Sequence, residues 1–153
     1  MSMRTKITRT IAPVAIAGAV AIGAAGAAYG GSTQFGATQS LNAGPMVAAY
    51  TVSGLRPSGD AVNVPVAGRL WEATTTVDAA QGTVTPTIPF FNARSDNGQN
   101  YRVLFQAAAP QGLNGSPLPQ GATSTGKIYF DVTGPAPTSV VYNDGVQDRL
   151  IWS

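Results

Sequence analysis

Cysteine and histidine are both absent from the 153 residues of this chain. Without cysteine the chain forms no disulfide and offers no thiolate nucleophile, and without either residue nearly all zinc sites are excluded. Histidine is also the commonest general base in enzymes, so carboxylates are left as the main acid–base groups. We therefore expect no metal, no cofactor and no enzyme activity. Packing alone must supply the stability of the fold, about 5–15 kcal/mol.

Charged residues are scarce, at 10% of the chain, and three of the nine basic ones lie at the amino terminus. They are Arg4, Lys6 and Arg9. A charge-free run of Ala, Val and Ile follows from Ile11 to Ala24, and the small residues Ala25–Ala27 come next. This order is that of a secretory signal peptide. We expect cleavage between Ala27 and Ala28, which removes residues 1–27 and leaves residues 28–153 as a single domain.

A retained membrane anchor is the alternative interpretation of the apolar run. Ala and Gly contribute little transfer free energy, however, and no basic stop-transfer cluster follows, so we expect no stable membrane anchor after cleavage. Cleavage leaves six Lys and Arg residues against seven Asp and Glu residues, a net charge of −1. No basic patch remains to neutralise phosphates, which excludes nucleic acid as an expected partner.

The stretch from Ser124 to Gly134 has the clearest secondary-structure pattern in the sequence. Ile128, Phe130 and Val132 alternate with Lys127, Tyr129 and Asp131. Strict alternation predicts a half-buried strand, because successive side chains of a pleated backbone point to opposite faces. We expect this strand to be central in its sheet.

Other stretches also predict strands. Met46–Leu55 and Gly68–Ala79 alternate. Gln34–Leu41 is expected to be an edge strand, and the Pro-rich Thr83–Pro89 is expected at a sheet edge or a bulge. Trp71 is the largest residue on its alternating face and is expected to fill the space between two sheets. Several smaller residues share these inward faces: Ala48, Ala73, Thr75 and Ala107.

Two hairpin signals and one long loop complete the pattern. Asn97-Gly98 is expected to form a type I′ turn between strands Phe90–Ser95 and Asn100–Ala107. Asn143-Asp144-Gly145 is expected to join Thr138–Tyr142 to Val146–Trp152. The Pro- and Gly-rich segment Ala108–Thr123 is longer than most connections, a length typical of either functional or mobile loops.

These strands, with no amphipathic helix after residue 28, predict an all-β protein. Seven to nine short strands separated by turn signals indicate an antiparallel β-sandwich. A tryptophan on an early strand suits immunoglobulin-like sandwiches, although the paired cysteines of true immunoglobulin domains are missing. The expected fold is therefore an immunoglobulin-like sandwich without disulfides.

The sequence resembles the mycobacterial secreted immunogenic protein family known as the immunoprotective extracellular protein, a domain of unknown function. The strings that carry the resemblance are PVAGRLWEATTTV from Pro65, FNAR from Phe91, NYRVLFQAA from Asn100, PQG from Pro119, STGKIYFDVTGP from Ser124 and LIW from Leu150. Residues 28–64 match the family poorly. The resemblance implies an immunoglobulin-like sandwich, secretion after signal cleavage and no established activity or site residues.

Four carboxylates are the candidates for a glycosidase-like pair by residue type: Glu72, Asp78, Asp131 and Asp148. The first three lie in or beside the polar face of a strand, where solvated carboxylates are expected. Asp148 shares the parity of Leu150 and Trp152, so we expect it to be partly buried, hydrogen-bonded and structural. Lys127 alone gives thin support for a Ser/Lys dyad.

Three functions remain open from the sequence. The first is a secreted binding module that contacts a host or envelope protein or glycan through a sheet face, a sheet edge or the loop Ala108–Thr123. The second is a structural or accessory protein of the cell envelope. The third is a carrier of a small apolar ligand between the sheets, which would require a cavity where close packing is the normal outcome. A sandwich fold hosts all three functions.

Overall fold

The computed structural model describes residues 31–153, so the predicted signal peptide and the cleavage position between Ala27 and Ala28 lie outside the described residues. Eight strands and a short 3₁₀ helix make up the regular structure of the described part. They are β1 (Thr38–Ala43), β2 (Met46–Pro57), β3 (Arg69–Gln81), the 3₁₀ helix Ile88–Phe90, β4 (Phe91–Ser95), β5 (Asn100–Arg102), β6 (Thr123–Val132), β7 (Pro137–Asn143) and β8 (Asp148–Trp152). Within residues 31–153, no helix has the length and apolar character needed to span a bilayer.

The strands form two four-stranded antiparallel sheets. The first sheet has the order β1-β2-β3-β6 and the second the order β5-β4-β7-β8. In the first sheet the long strands β3 and β6 pair without interruption from Arg69 opposite Val132 to Asp78 opposite Thr123. The predicted immunoglobulin-like antiparallel sandwich is confirmed, and its eight strands fall within the expected seven to nine.

The core lies between the two sheets and is built from alternate residues of their strands. Aromatic side chains from both sheets meet at its centre: Tyr50 packs against Phe91 and Tyr142, with ring centroids 5.8 and 5.2 Å apart. Phe91 also contacts Trp152 at 6.5 Å. Edge-to-face and tilted arrangements of this kind add about 0.5–1.5 kcal/mol per pair beyond the burial of apolar area.

Trp152, and not Trp71, is the tryptophan that fills the core. Trp152 is 0% exposed, and its Nε1 donates a hydrogen bond to the Ala37 carbonyl at 2.9 Å. Trp71 is only half-buried and packs at the margin of the core. The expectation that Trp71 fills the core is wrong, because Trp71 is the third residue of β3 and lies opposite Pro57, the last residue of β2, at the margin of the sandwich.

The strand with the clearest alternation is not central. β6 is the last strand in the order of the first sheet, although Ile128, Phe130 and Val132 are buried as predicted. Its outer edge is covered by chain that follows β5, because Leu113 N donates to the Lys127 carbonyl at 2.9 Å and Lys127 N donates to the Gln111 carbonyl at 2.7 Å. The alternation of apolar residues along a strand predicts which face of the sheet is buried, but it does not predict whether the strand lies at the edge of the sheet.

The same contacts assign a role to the loop Ala108–Thr123. Leu113 is buried in the core, and Leu118 forms an isolated antiparallel bridge with Val84. Two backbone hydrogen bonds hold that bridge, Val84 N to the Leu118 carbonyl at 2.8 Å and the reverse at 2.6 Å. The loop therefore shields the edge of the first sheet, which is a known way to prevent edge-to-edge association.

Both predicted hairpins are confirmed, but the second strand of each is shorter than expected. β5 ends at Arg102 and not at Ala107, and Phe105 is 59% exposed. In the β4–β5 turn Ser95 N donates to the Gln99 carbonyl, and Gly98 has a φ of +87°. The turn therefore holds three residues, with the glycine in the left-handed position that such loops require, and is not the expected two-residue type I′ turn.

Candidate functional site

The four carboxylates selected from the sequence do not converge on one site. Glu72, Asp78 and Asp131 lie on the outer face of the first sheet, whereas Asp148 lies on the second sheet. Asp131 accepts hydrogen bonds from the backbone N–H groups of Ala67 and Gly68, both at 2.8 Å. Six residues of strand, about 20 Å, separate Glu72 from Asp78. Glu72 and Asp78 are therefore too far apart to act as a glycosidase pair.

Glu72 is instead the centre of a different group of polar side chains. The expectation of a solvated carboxylate at this position is wrong, because Glu72 is 4% exposed. We call the group the Lys127 cluster, and its members are Arg56, Ser58, Asp60, Glu72, Lys127 and Tyr129.

Lys127 links the two carboxylates of the cluster. Its Nζ lies 2.9 Å from Glu72 Oε2 and 2.8 Å from Asp60 Oδ2. Arg56 Nε donates to Glu72 Oε1 at 2.9 Å, and Ser58 Oγ donates to Glu72 Oε2 at 2.8 Å. Each carboxylate thus has charged or hydroxyl donors, which is the arrangement that lets a charge remain in a poorly hydrated place.

Three strands and one connection bring the cluster together. Glu72 on β3 is opposite Tyr129 on β6 and Arg56 at the end of β2. The segment after β2 then folds over this outer face, so that Tyr129 OH donates to Asp60 Oδ2 at 2.8 Å. Sequence patterns missed Asp60 and Tyr129 because the partners are 69 residues apart. The one signal in the sequence was Tyr129, an aromatic residue on the face of β6 that alternation predicts to be exposed.

The ionisation of the cluster argues against acid–base catalysis. Burial alone would raise the pKa of Glu72, but hydrogen bonds from Lys127, Ser58 and Arg56 outweigh it and hold that pKa below its ordinary value. Hydrogen bonds from Lys127 and then Tyr129 lower the pKa of Asp60. The carboxylates in turn raise the pKa of Lys127. At neutral pH both acids are ionised and the lysine is protonated, so the cluster contains neither a carboxylic acid donor nor a neutral amine base for a Ser/Lys dyad.

The second sheet carries a cleft of about 370 Å³ on its outer face. We call it the asparagine cleft, and its lining residues are Pro89, Phe90, Asn92, Arg94, Asn100, Arg102, Asn143 and Gly145. Asn92 is opposite Arg102 and Arg94 is opposite Asn100 in the β4–β5 ladder, so these four side chains form one block on the sheet surface. The sequence does not reveal this cleft, because its strand residues alternate with core residues and resemble ordinary surface.

Asp148 pairs with Arg94, one of the residues that line the asparagine cleft. The two side chains form a bidentate ion pair, with Arg94 Nη1 and Nη2 at 2.7 and 3.1 Å from the carboxylate oxygens. This hydrogen bond is the main cause that lowers the pKa of Asp148. The prediction that Asp148 is a partly buried, hydrogen-bonded and structural carboxylate is confirmed. The prediction that it shares a face with Leu150 and Trp152 is wrong. A register shift between Tyr142 and Asn143 turns Asp148 to the outer face, away from Leu150 and Trp152.

The remaining expectations concern metals and an internal ligand. Within residues 31–153, no three acidic side chains lie close enough together to hold a metal ion. The small inward residues Ala48, Ala73 and Thr75 are buried in the packed core between the sheets, whereas Ala107 is half-buried beyond the end of β5.

Comparison with known proteins gives consistent matches over nearly the whole described chain. The family model described as a domain of unknown function, DUF1942, matches residues 31–152. The chain is 47% identical over 157 residues to immunogenic protein MPB63 of Mycobacterium bovis, with 99% of each chain covered. Immunogenic protein MPT63 of Mycobacterium tuberculosis matches with the same 47% identity and coverage.

Solved structures agree with this assignment. The crystal structure of MPT63, a secreted protein of Mycobacterium tuberculosis, superposes with a TM-score of 0.79 at 48% identity and covers 83% of this chain and 99% of that one. The yjhA protein of Bacillus subtilis has a TM-score of 0.50 at 19% identity, over 72% of this chain and 81% of its own, and shares the fold alone.

The family match begins at residue 31 and so includes the segment up to residue 64, where the sequence resemblance is poor. The relatives named above carry no enzymatic name, and the function of their shared domain is unknown. The protein is secreted, as its solved relative is. The chain belongs to the DUF1942 family of secreted mycobacterial immunogenic proteins.

Proposed function

We propose that the protein is a secreted, non-enzymatic binding module that acts by stoichiometric contact with a host or envelope partner. The observation that carries this proposal is the state of the Lys127 cluster, in which Lys127 lies within 2.9 Å of both Glu72 and Asp60. Lys127 and Arg56 together neutralise the two ionised carboxylates, which leaves no carboxylic acid proton to transfer near neutral pH.

The rest of the surface supports contact rather than turnover. Each Asp and Glu side chain in the described chain accepts a hydrogen bond, and none of them lines the asparagine cleft. The asparagine cleft, in contrast, presents amide and guanidinium groups that bind without chemistry. A carrier function has weaker support, because the small inward residues lie in a packed core.

The proposal includes the form in which the module is released. Residues 28–153 would leave the cell as a single domain after cleavage between Ala27 and Ala28. Binding to a host or envelope surface would then occur without a membrane anchor. The outer face of the second sheet, which carries the asparagine cleft, is one surface available for this contact.

A binding titration tests the proposal. Fluorescently labelled secreted protein is added to host cells and, separately, to isolated mycobacterial envelope, with heat-unfolded protein as the control. We expect saturable binding to at least one surface, competed by unlabelled folded protein. Failure to saturate on both surfaces would contradict the proposal. So would hydrolysis of glycosides, esters or peptides by purified protein, if Glu72→Gln abolished it.

A further inference from the structure

The distribution of ion pairs singles out one basic residue. Six Lys and Arg residues follow residue 30. Four of them are in ion pairs, namely Arg56, Arg94, Lys127 and Arg149. Within residues 31–153, Arg69 and Arg102 make neither an ion pair nor a side-chain hydrogen bond, and of these two only Arg102 lines the asparagine cleft.

Arg102 therefore brings an uncompensated charge to the cleft. The charge of Arg94 is neutralised by Asp148 through two hydrogen bonds. No acidic residue lines the cleft. A guanidinium is always protonated, and its planar fork matches the two oxygens of a carboxylate. The cleft thus has a net positive charge and a recognition element for an anionic group.

The amides beside Arg102 supply both donors and acceptors. Asn92 uses its Nδ2 to donate to the Phe90 carbonyl at 3.2 Å, which leaves its Oδ1 without a partner in the described chain. Asn100 uses its Oδ1 to accept from Arg94 Nε at 2.7 Å, which leaves its Nδ2 without one. A free acceptor and a free donor on adjacent strands match the hydroxyl groups of a sugar, which both donate and accept.

The remaining lining residues are apolar except Asn143, whose amide is already hydrogen-bonded to Asp148 and to the Gly145 N–H. Pro89 and Phe90, which come just before β4, line the cleft, and so does Gly145 of the β7–β8 turn. Apolar rings beside polar groups are what an amphipathic ligand such as a sugar ring contacts. A volume of about 370 Å³ lies at the lower end of small-ligand sites, which run from about 300 to 1,000 Å³.

We propose that the asparagine cleft binds an acidic saccharide, a sugar unit bearing a carboxylate. Arg102 pairs with the carboxylate, Asn92 and Asn100 bond the hydroxyl groups, and Phe90 contacts the sugar ring. This proposal rests on the binding function proposed above and assigns it a place and a ligand class. An acidic peptide fits less well, because β5 spans three residues and is too short a template for an added strand.

The test is a titration of ¹⁵N-labelled secreted protein with a hyaluronan tetrasaccharide, followed by NMR. We expect saturable shifts at the side-chain amides of Asn92 and Asn100 and at the backbone of Arg102. Chitotetraose, a neutral tetrasaccharide, should bind at least about tenfold more weakly, because it lacks the charge-assisted pair. A tetraglutamate peptide supplies carboxylates without a sugar ring and should also bind weakly.

Two variants make the assignment specific. Arg102→Ala should weaken binding of the hyaluronan tetrasaccharide about tenfold or more, whereas Arg69→Ala, which removes an equally unpaired and exposed guanidinium from the other sheet, should change it less than about twofold. Equal losses in both variants, equal binding of chitotetraose or tetraglutamate, or no saturable shift would overturn the proposal. Those results would leave surface binding in the cell and envelope titration intact, so the two proposals fail separately.

Discussion

At the residue scale, the few charged side chains of this protein are used mainly to hold the molecule together. Glu72 is buried yet ionised, because Arg56, Ser58 and Lys127 all donate to it. Removing one partner of such a buried group leaves an uncompensated charge, which lowers the free energy of unfolding by more than the intact group contributes to it. The carboxylates that catalysis would need are therefore committed to structure.

The two tryptophans provide a first prediction. Trp152→Ala should lower the free energy of unfolding by about 3–5 kcal/mol, because it opens a cavity in the centre of the core. Trp71→Ala should cost about 1–2 kcal/mol, because only part of its surface is removed from water. Urea unfolding of both variants measures the difference. Equal losses, or a larger loss for Trp71→Ala, would contradict the placement of the core.

The pH dependence of stability follows from the shifted carboxyls. The pKa values of Glu72, Asp60, Asp144 and Asp148 are lowered by their hydrogen-bond partners, so their contribution is fully present above their ordinary values of 4.5 and 3.8 and is lost as pH falls below these. Burial raises the pKa of Tyr129 to about 12, so its contribution is lost as pH rises above 10.0. Thermal melts should be nearly flat from pH 5.5 to 7.5 and should fall at both extremes; a shift of several degrees within that range would contradict this account.

At the element scale, the sandwich depends on how its sheet edges are covered. The segment around Leu113 pairs with β6 through backbone hydrogen bonds of 2.9 and 2.7 Å. Gly126 on β6 makes room for it, since a Cβ at that position would lie 2.5 Å from the backbone N and Cα of Leu113. A glycine in a strand interior often marks such a close approach of two backbones.

The prediction at this scale concerns that contact. Gly126→Ala should destabilise the protein by about 1–3 kcal/mol, because the added methyl group overpacks against backbone. Hydrogen exchange of the Leu113 and Lys127 amides should accelerate before that of the core strands. Gly59→Ala is the matched control, since nothing lies within 4 Å of its added Cβ. If the Leu113 amide of Gly126→Ala exchanged as slowly as in the unaltered protein, the pairing of this segment with β6 would not depend on the glycine.

Local patterns predicted the elements well and their neighbours poorly. The alternation in Met46–Leu55 and in the stretch around Ile128 correctly identified buried faces, because burial of one face is a property of each strand alone. The edge position of β6 and the bulge that turns Asp148 outward depend on pairing with distant chain. Such pairing leaves no trace in a single strand.

The candidate sites were out of reach for a similar reason. Glu72 and Lys127 were selected by residue type, but Asp60 joins them only because the segment after β2 folds across the sheet. The asparagine cleft requires the register of β4 against β5, which places Asn92 opposite Arg102. Composition and spacing contain no information on that register.

At the scale of the whole molecule, the protein is a secreted sandwich with two dissimilar outer faces. The first sheet carries a neutralised charge cluster that ties the connection after β2 to the strands. The second carries an open cleft with the guanidinium of Arg102, which has no ion-pair partner in the part of the chain that the structure describes. One face thus contributes to stability while the other offers a surface for contact. Such a division suits a module that works by binding outside the cell.

The released form is open to direct measurement. Intact mass of the protein from culture medium should correspond to residues 28–153, because cleavage is expected between Ala27 and Ala28. Protein extracted from the cell envelope serves as the comparison. A full-length species confined to membranes would contradict signal cleavage and would favour the anchor interpretation of the apolar run Ile11–Ala24.

The claim that the molecule works by contact and not by turnover depends most directly on the ionisation of the Lys127 cluster. A carbon-detected NMR titration of the side-chain carboxyls measures it in the intact secreted protein. We predict that Glu72 and Asp60 titrate below their ordinary pKa values of 4.5 and 3.8 and are both ionised at pH 6. A pKa above about 6 for either carboxyl would place a usable proton donor in the cluster and would contradict the account.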